Sequence, residues 1–159
     1  MTPTLSACAR GVMLLASVSL GCAAQSQALE VEFPAGTHAS VEGILALELT
    51  WAEYREQGVA LRLTVRNDST TDVTIAREGI LLAYGSLEFP LDLRDLGAPP
   101  EAILVPAKGA AKLKLAFATG SRVEQTATLR LRAMRQGQRW LAAGKVELPP
   151  APLSTLQEE

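Results

Sequence analysis

Side chains suited to chemistry are scarce in this 159-residue chain: one histidine, His38, and two cysteines, Cys8 and Cys22. A Ser-His-Asp or Cys-His site would have to be built around His38. That residue closes the stretch Pro34-Ala35-Gly36-Thr37-His38, which reads as an exposed loop. A zinc site needs a cluster of His and Cys ligands that one histidine and one retained cysteine do not supply. Met134 is the only methionine beyond the first apolar segment, so thioether ligation of copper has no partner set. No glycine-rich phosphate loop and no HExxH pair occurs. Carboxylates remain. Asp68 and Asp72 with Asn67 offer oxygens for Ca²⁺ but lack a calcium-loop spacing, and read as a solvated turn. Asp92 and Asp95 around Arg94 read the same way. Glu48 and Glu53 lie on one strand, with nothing nearby to raise a pKa as acid–base work requires. Asn67-Asp68-Ser69 also matches a glycosylation sequon, which would carry no meaning in a bacterium. The expectation is no catalytic residue, no metal and no cofactor: a protein that is not an enzyme.

The cysteines carry more information. Gly11–Leu20 is an unbroken run of apolar and small residues after Arg10, about half the roughly 20 residues a membrane-spanning helix needs. It has the size of a signal-peptide core. Val18-Ser19-Leu20-Gly21-Cys22 resembles the bacterial lipobox, with Gly21 well matched and Ser19 where leucine is usual. The resemblance implies cleavage before Cys22 and acylation of its thiol. The competing reading is an ordinary secretory signal, cut after Ala24 or Ala28. Cysteine arithmetic favours lipidation: Cys8 leaves with the signal, so Cys22 has no disulfide partner, and a free thiol in an oxidising compartment is a liability. One acyl chain binds marginally and several anchor stably. Ala23, in place of the aspartate of inner-membrane retention, points to the outer membrane, facing the periplasm.

The elements behind these residues are strands. Leu45, Leu47, Leu49 and Trp51 alternate with polar or small residues, as do Val59, Leu61, Leu63 and Val65, with Glu56-Gln57-Gly58 as a hairpin connector. Asn67–Asp72 is turn chemistry. Ile80–Tyr84 and Leu87–Leu91 flank a tight turn at Gly85-Ser86. The runs 111–117, 127–133 and 139–148 follow the same period. Hydrophobic content of 48% and charged content of 20% are ordinary for a globular domain, and about 130 residues past the signal suffice for one core. The pattern predicts an all-β, antiparallel β-sandwich of seven to nine strands. The domains read as a lipoprotein signal at 1–21, lipidated Cys22 and tether at 22–29, the sandwich at 30–148 and a disordered tail at 149–159. Parity places Trp51 and Trp140 in the core and makes Tyr54 the outward aromatic.

Three stretches, "VALRLTVRNDS" (59–69), "TTDVTIAREGILLAYGSLEFPL" (70–91) and "ILVPAKGAAKLKLAF" (103–117), resemble the immunoglobulin-like, telokin-like domains of small bacterial lipoproteins of unknown function. The resemblance implies an architecture and an envelope setting, with no activity attached. A net charge of −2 and an aromatic content of 4% argue against nucleic-acid binding. Parity turns Arg62, Arg66, Lys112 and Lys114 away from the core. If their strands are neighbours they form a basic face for an anionic partner, and Arg130 and Arg132 form a second set. The plain alternative is charge for solubility and edge protection. The expected function is a lipid-anchored envelope module that binds or scaffolds another envelope component. The alternative is a secreted or periplasmic module that binds glycan or another anionic ligand.

Overall fold

The computed structural model describes residues 28–153. The signal segment, Cys22 and most of the tether lie outside the described residues, as does the tail from 154. Among the described residues no helix is long and apolar enough to cross a membrane. Twelve strands follow in order: β1 (Leu29–Val41), β2 (Leu45–Arg55), β3 (Gly58–Asn67), β4 (Val73–Ala76), β5 (Ile80–Tyr84), β6 (Leu87–Pro90), β7 (Ala102–Val105), β8 (Ala110–Ala118), β9 (Ala127–Leu131), β10 (Met134–Gln136), β11 (Arg139–Trp140) and β12 (Gly144–Leu148). A single 3-10 turn, Arg77–Gly79, separates β4 from β5.

The strands form an all-β sandwich. One layer has the order β1-β2-β3-β8, with every pair antiparallel. The facing layer consists of two four-stranded sheets, β11-β10-β4-β7 and β12-β9-β5-β6. These are two halves of one set of broken strands: β4 leads into β5 through the 3-10 turn, and β9 into β10 through Arg132-Ala133. Joining these two breaks, and taking β6 with β7 and β11 with β12 as one interrupted run each, reduces the twelve elements to eight runs, four per layer, which is why alternation alone reads fewer strands. Backbone bonds stitch the two breaks together, Ala76 N to Ala133 O and Arg132 N to Gly79 O, each at 2.9 Å.

Between the layers lie fully buried Leu47, Leu49, Leu61, Val65, Ile75, Ile80, Leu82, Leu115 and Leu129. Each such side chain stabilises the fold by roughly 1.5–3 kcal/mol relative to exposure. Asn67 is the one buried polar residue among the described residues. Its amide donates to Thr71 O (2.8 Å) and Val105 O (3.2 Å), and its carbonyl accepts from Ser69 N and Ser69 Oγ. The turn chemistry is as expected, but the sequon asparagine is sealed inside the protein.

Five expectations need correction. The register shifts between Leu49 and Trp51, a bulge that reverses parity. Trp51 is therefore buried on the outer face of its layer, in a small cluster with Ala60 and Ala116, and not in the main core. The same bulge turns Tyr54 inward, where it is 0% exposed and donates to Pro149 O at 2.5 Å. Trp140 pairs with outward Arg135 and is 65% exposed, because the exposed Ala142 and Ala143 reverse parity before Gly144. His38 stands on β1, in register with Glu48 on β2, and not in a loop. Packing also runs past the expected boundary at 148: Ala151 is buried and its amide donates to Val123 O at 2.8 Å.

Candidate functional site

The β3–β8 register decides the fate of the basic face. Arg62 stands opposite Lys114 and Thr64 opposite Lys112. Opposed residues of an antiparallel pair share a face, so the three cations meet on the outer surface of the first layer. They line a shallow groove of about 430 Å³ together with the hydroxyls of Thr50 and Thr64. Thr50 belongs to the bulge on β2, and its hydroxyl donates to Arg62 O at 3.4 Å. Arg66 does not join them. It lies four residues beyond Arg62 on β3 and is paired with Asp68 at 2.9 Å.

The three groove cations are held differently. The Arg62 guanidinium lies 4.6 Å from the Trp51 ring centroid, a cation–π contact that covers the indole and fixes the charge in place. The Lys114 ammonium sits 3.1 Å from Asp95 and donates to Leu96 O at 3.3 Å. Asp95 also accepts from Arg55, which in turn binds Glu53, both at 2.9 Å. The hydrogen bond from Arg55 outweighs desolvation and, with help from Lys114, holds the Asp95 carboxyl below its usual range. Lys112 is exposed and has no hydrogen bond or ion pair among the described residues. The groove thus combines an ordered arginine, a tethered lysine, an unpaired lysine and two hydroxyls. This set suits oxyanions, with the fixed arginine supplying geometry and the lysines supplying charge.

The second basic set shares one carboxylate partner. Glu88 on β6 accepts hydrogen bonds from both Arg130 and Arg132, the latter at 3.0 Å. Desolvation pushes the Glu88 carboxyl up, but the bonds from Arg132 and Arg130 prevail and hold it low. Two of the remaining carboxylate candidates, Asp92 and Asp72, have structural partners. Asp92 binds the backbone amide and side chain of Arg94, which lowers its pKa. Asp72 accepts from Ala107 N at 2.8 Å. All three carboxyls whose acidity the fold shifts are shifted downward, opposite to the need of a general acid. Among the described residues no three His, Cys, Asp or Glu side chains converge as metal ligands.

Parity missed one feature. Trp140 and Arg135 stand side by side on the outer face of the second layer, with the guanidinium 5.9 Å from the ring centroid. Only the pair of exposed alanines at 142–143, which breaks the strand, gives a hint of it in the sequence. Elsewhere, a hollow of about 490 Å³ opens where the edge run β6–β7 is interrupted, with Ile80, Leu91 and Leu93 inside and Arg77 and Glu101 beside them.

No family model matches the chain, and no curated protein does. Solved structures share its fold, two of them as follows. A candidate lipoprotein (ycdA) from Bacillus subtilis superposes with a TM-score of 0.56 at 11% identity, covering 72% of this chain. The chain spans only 39% of that protein's length. A functionally unknown protein from Listeria monocytogenes gives a TM-score of 0.51 at 13% identity, covering 79% of this chain and 84% of its own. At these identities the likeness is one of fold: both are solved examples of the β-rich architecture that this chain adopts.

Proposed function

We propose that the protein is a non-enzymatic binding module of the cell envelope, anchored by lipid on Cys22 and docked to an anionic partner through the groove of Arg62, Lys112 and Lys114. One observation carries the reading: strand register gathers three cations and two hydroxyls into one concavity and leaves Lys112 without a partner. The fold shared with a candidate lipoprotein supports the envelope setting. The lipobox resemblance supports the anchor, and Ala23 after the cysteine supports the outer membrane, facing the periplasm. We read the sandwich as immunoglobulin-like in type, supported by its eight runs in two antiparallel layers. The partner is an envelope protein with an acidic patch or an anionic glycan; phosphate or carboxylate groups meet the same donors.

Two measurements test this. The mass of the N-terminal peptide from native membranes should correspond to acylated Cys22. A peptide beginning at Gln25 or Leu29 would replace the anchored module with a soluble one. In vivo crosslinking with the full chain should recover a partner whose yield falls about tenfold in Arg62→Ala/Lys112→Glu, as expected when two charge-assisted contacts are lost. Unchanged yield with Arg62→Ala/Lys112→Glu and full loss with Glu88→Ala would move the interface to the other layer.

A further inference from the structure

We propose a second binding site, distinct from the basic groove, on the outer face of β11-β10-β4-β7, where the hexopyranose rings of a glycan lie across the strands. Register places Trp140, Arg135, Thr74 and Leu104 in one row: Trp140 opposes Arg135, Arg135 opposes Thr74, and Thr74 opposes Leu104. Opposed side chains share a face, so all four point outward. The row crosses three inter-strand gaps, about 14 Å, the length of a short oligosaccharide.

The chemistry along the row alternates as that of a sugar does. Trp140 is 65% exposed and Leu104 58% exposed, so each end offers apolar surface. Tryptophan is highly buried on average, which makes an indole left this open an informative exception. Between the ends, an open groove of about 540 Å³ is lined by Thr70, Thr71, Asp72, Thr74 and Arg135. Asp72 spends one carboxylate oxygen on the Ala107 amide and has no other partner among the described residues. A pyranose presents C–H groups on its faces and hydroxyls at its rim. The ring faces can stack on the indole while the rim meets hydroxyls, carboxylate and guanidinium.

The platform is built in advance. The hairpin that carries Trp140 is clamped by Glu42, which accepts from Ala142 N at 2.7 Å and from the Arg139 guanidinium. The groove loop is fixed from below by the buried amide of Asn67. Gln136 Nε2 donates to Ser69 Oγ at 2.9 Å and ties the hairpin to that loop. Arg135 both lines the groove and lies against the indole, so the aromatic and polar parts form one surface. Preorganisation of this kind reduces the ordering cost of binding.

The test uses the full, detergent-solubilised protein and a panel of chitotetraose, maltotetraose and an N-acetylglucosamine–N-acetylmuramic acid disaccharide. Trp140 is the solvent-open indole, whereas Trp51 is 7% exposed beneath Arg62. Iodide quenching therefore reads Trp140. Saturable protection from iodide by at least one oligosaccharide is expected. Trp140→Ala should weaken binding measured by calorimetry about tenfold, the loss of one stacked ring, and Trp140→Phe should restore part of it. Arg135→Ala should weaken it too, while Lys112→Glu in the other groove leaves binding of the neutral oligosaccharides, chitotetraose and maltotetraose, unchanged. Thermal melts of each variant confirm folding. Absence of saturable protection across the panel overturns the proposal. Binding that survives both Trp140→Ala and Arg135→Ala, or binding of the neutral oligosaccharides that disappears with Lys112→Glu, also overturns it.

Discussion

Asn67 holds four hydrogen bonds in a site with no water access, and three segments depend on it: the turn 68–71, the end of β7 and its own strand. Replacing it with leucine leaves Thr71 O, Val105 O and Ser69 N with lost partners. Asn67→Leu should therefore cost at least about 2 kcal/mol, seen as a lower urea midpoint. Tyr54 does the same work at the other end of the sandwich, where its hydroxyl ties β2 to Pro149. Burial raises its pKa from 10.0 to about 12. The neutral phenol is thus favoured in the folded state. Its contribution is complete below the unfolded pKa and disappears as pH rises through the folded one. Stability should fall between pH 10.0 and about 12, and Tyr54→Phe should flatten that fall in alkaline denaturation curves. The asparagine's turn role was legible, since short polar side chains in series mark a turn. The tyrosine's burial was not, because a one-residue bulge at Thr50 reverses every side chain after it.

At the scale of elements, the breaks in the second layer matter as much as the strands. Gly79 lies where the β4–β5 break crosses the β9–β10 break, and a Cβ there would stand 2.5 Å from the backbone nitrogen of Ala133. The Ala133 backbone leaves little room to yield. Gly79→Ala should destabilise the protein by about 1–3 kcal/mol, measured by thermal or urea unfolding, with faster amide exchange concentrated at Ala76 and Arg132. The first layer has a different logic. Its β2–β3 register follows from apolar alternation and a short turn, and the outward direction of Arg62, Lys112 and Lys114 could be anticipated from parity; their meeting rests on β3 pairing with β8 across the intervening β4–β7. The separation of Arg66 could not be anticipated, because its partner Asp68 belongs to the turn beyond the strand.

Across the whole molecule, ion pairs connect segments distant in sequence. Asp95 links the loop after β6 to β8 through Lys114 and to β2 through Arg55. Glu88 links β6 to Arg130 and Arg132. Both carboxyls, with Asp92, have folded pKa values below the ordinary range. Their contribution is present above the unfolded carboxylate pKa of about 4 and is lost as pH falls through the lower folded values. The melting temperature should therefore drop on acidification below about pH 4, and Asp95→Asn should melt lower at neutral pH with a shallower acid dependence. The sequence by itself determined the strand content, the turns at Asn67–Asp72 and Gly85-Ser86, and the outward parity of the β3 and β8 cations, because period and turn chemistry are local properties. Tertiary structure alone decided which charges stay unpaired and which face carries the two tryptophans. A bulge at Thr50 and a two-residue break at Ala142-Ala143 cost the chain little locally, and only the packing of the two layers selects them.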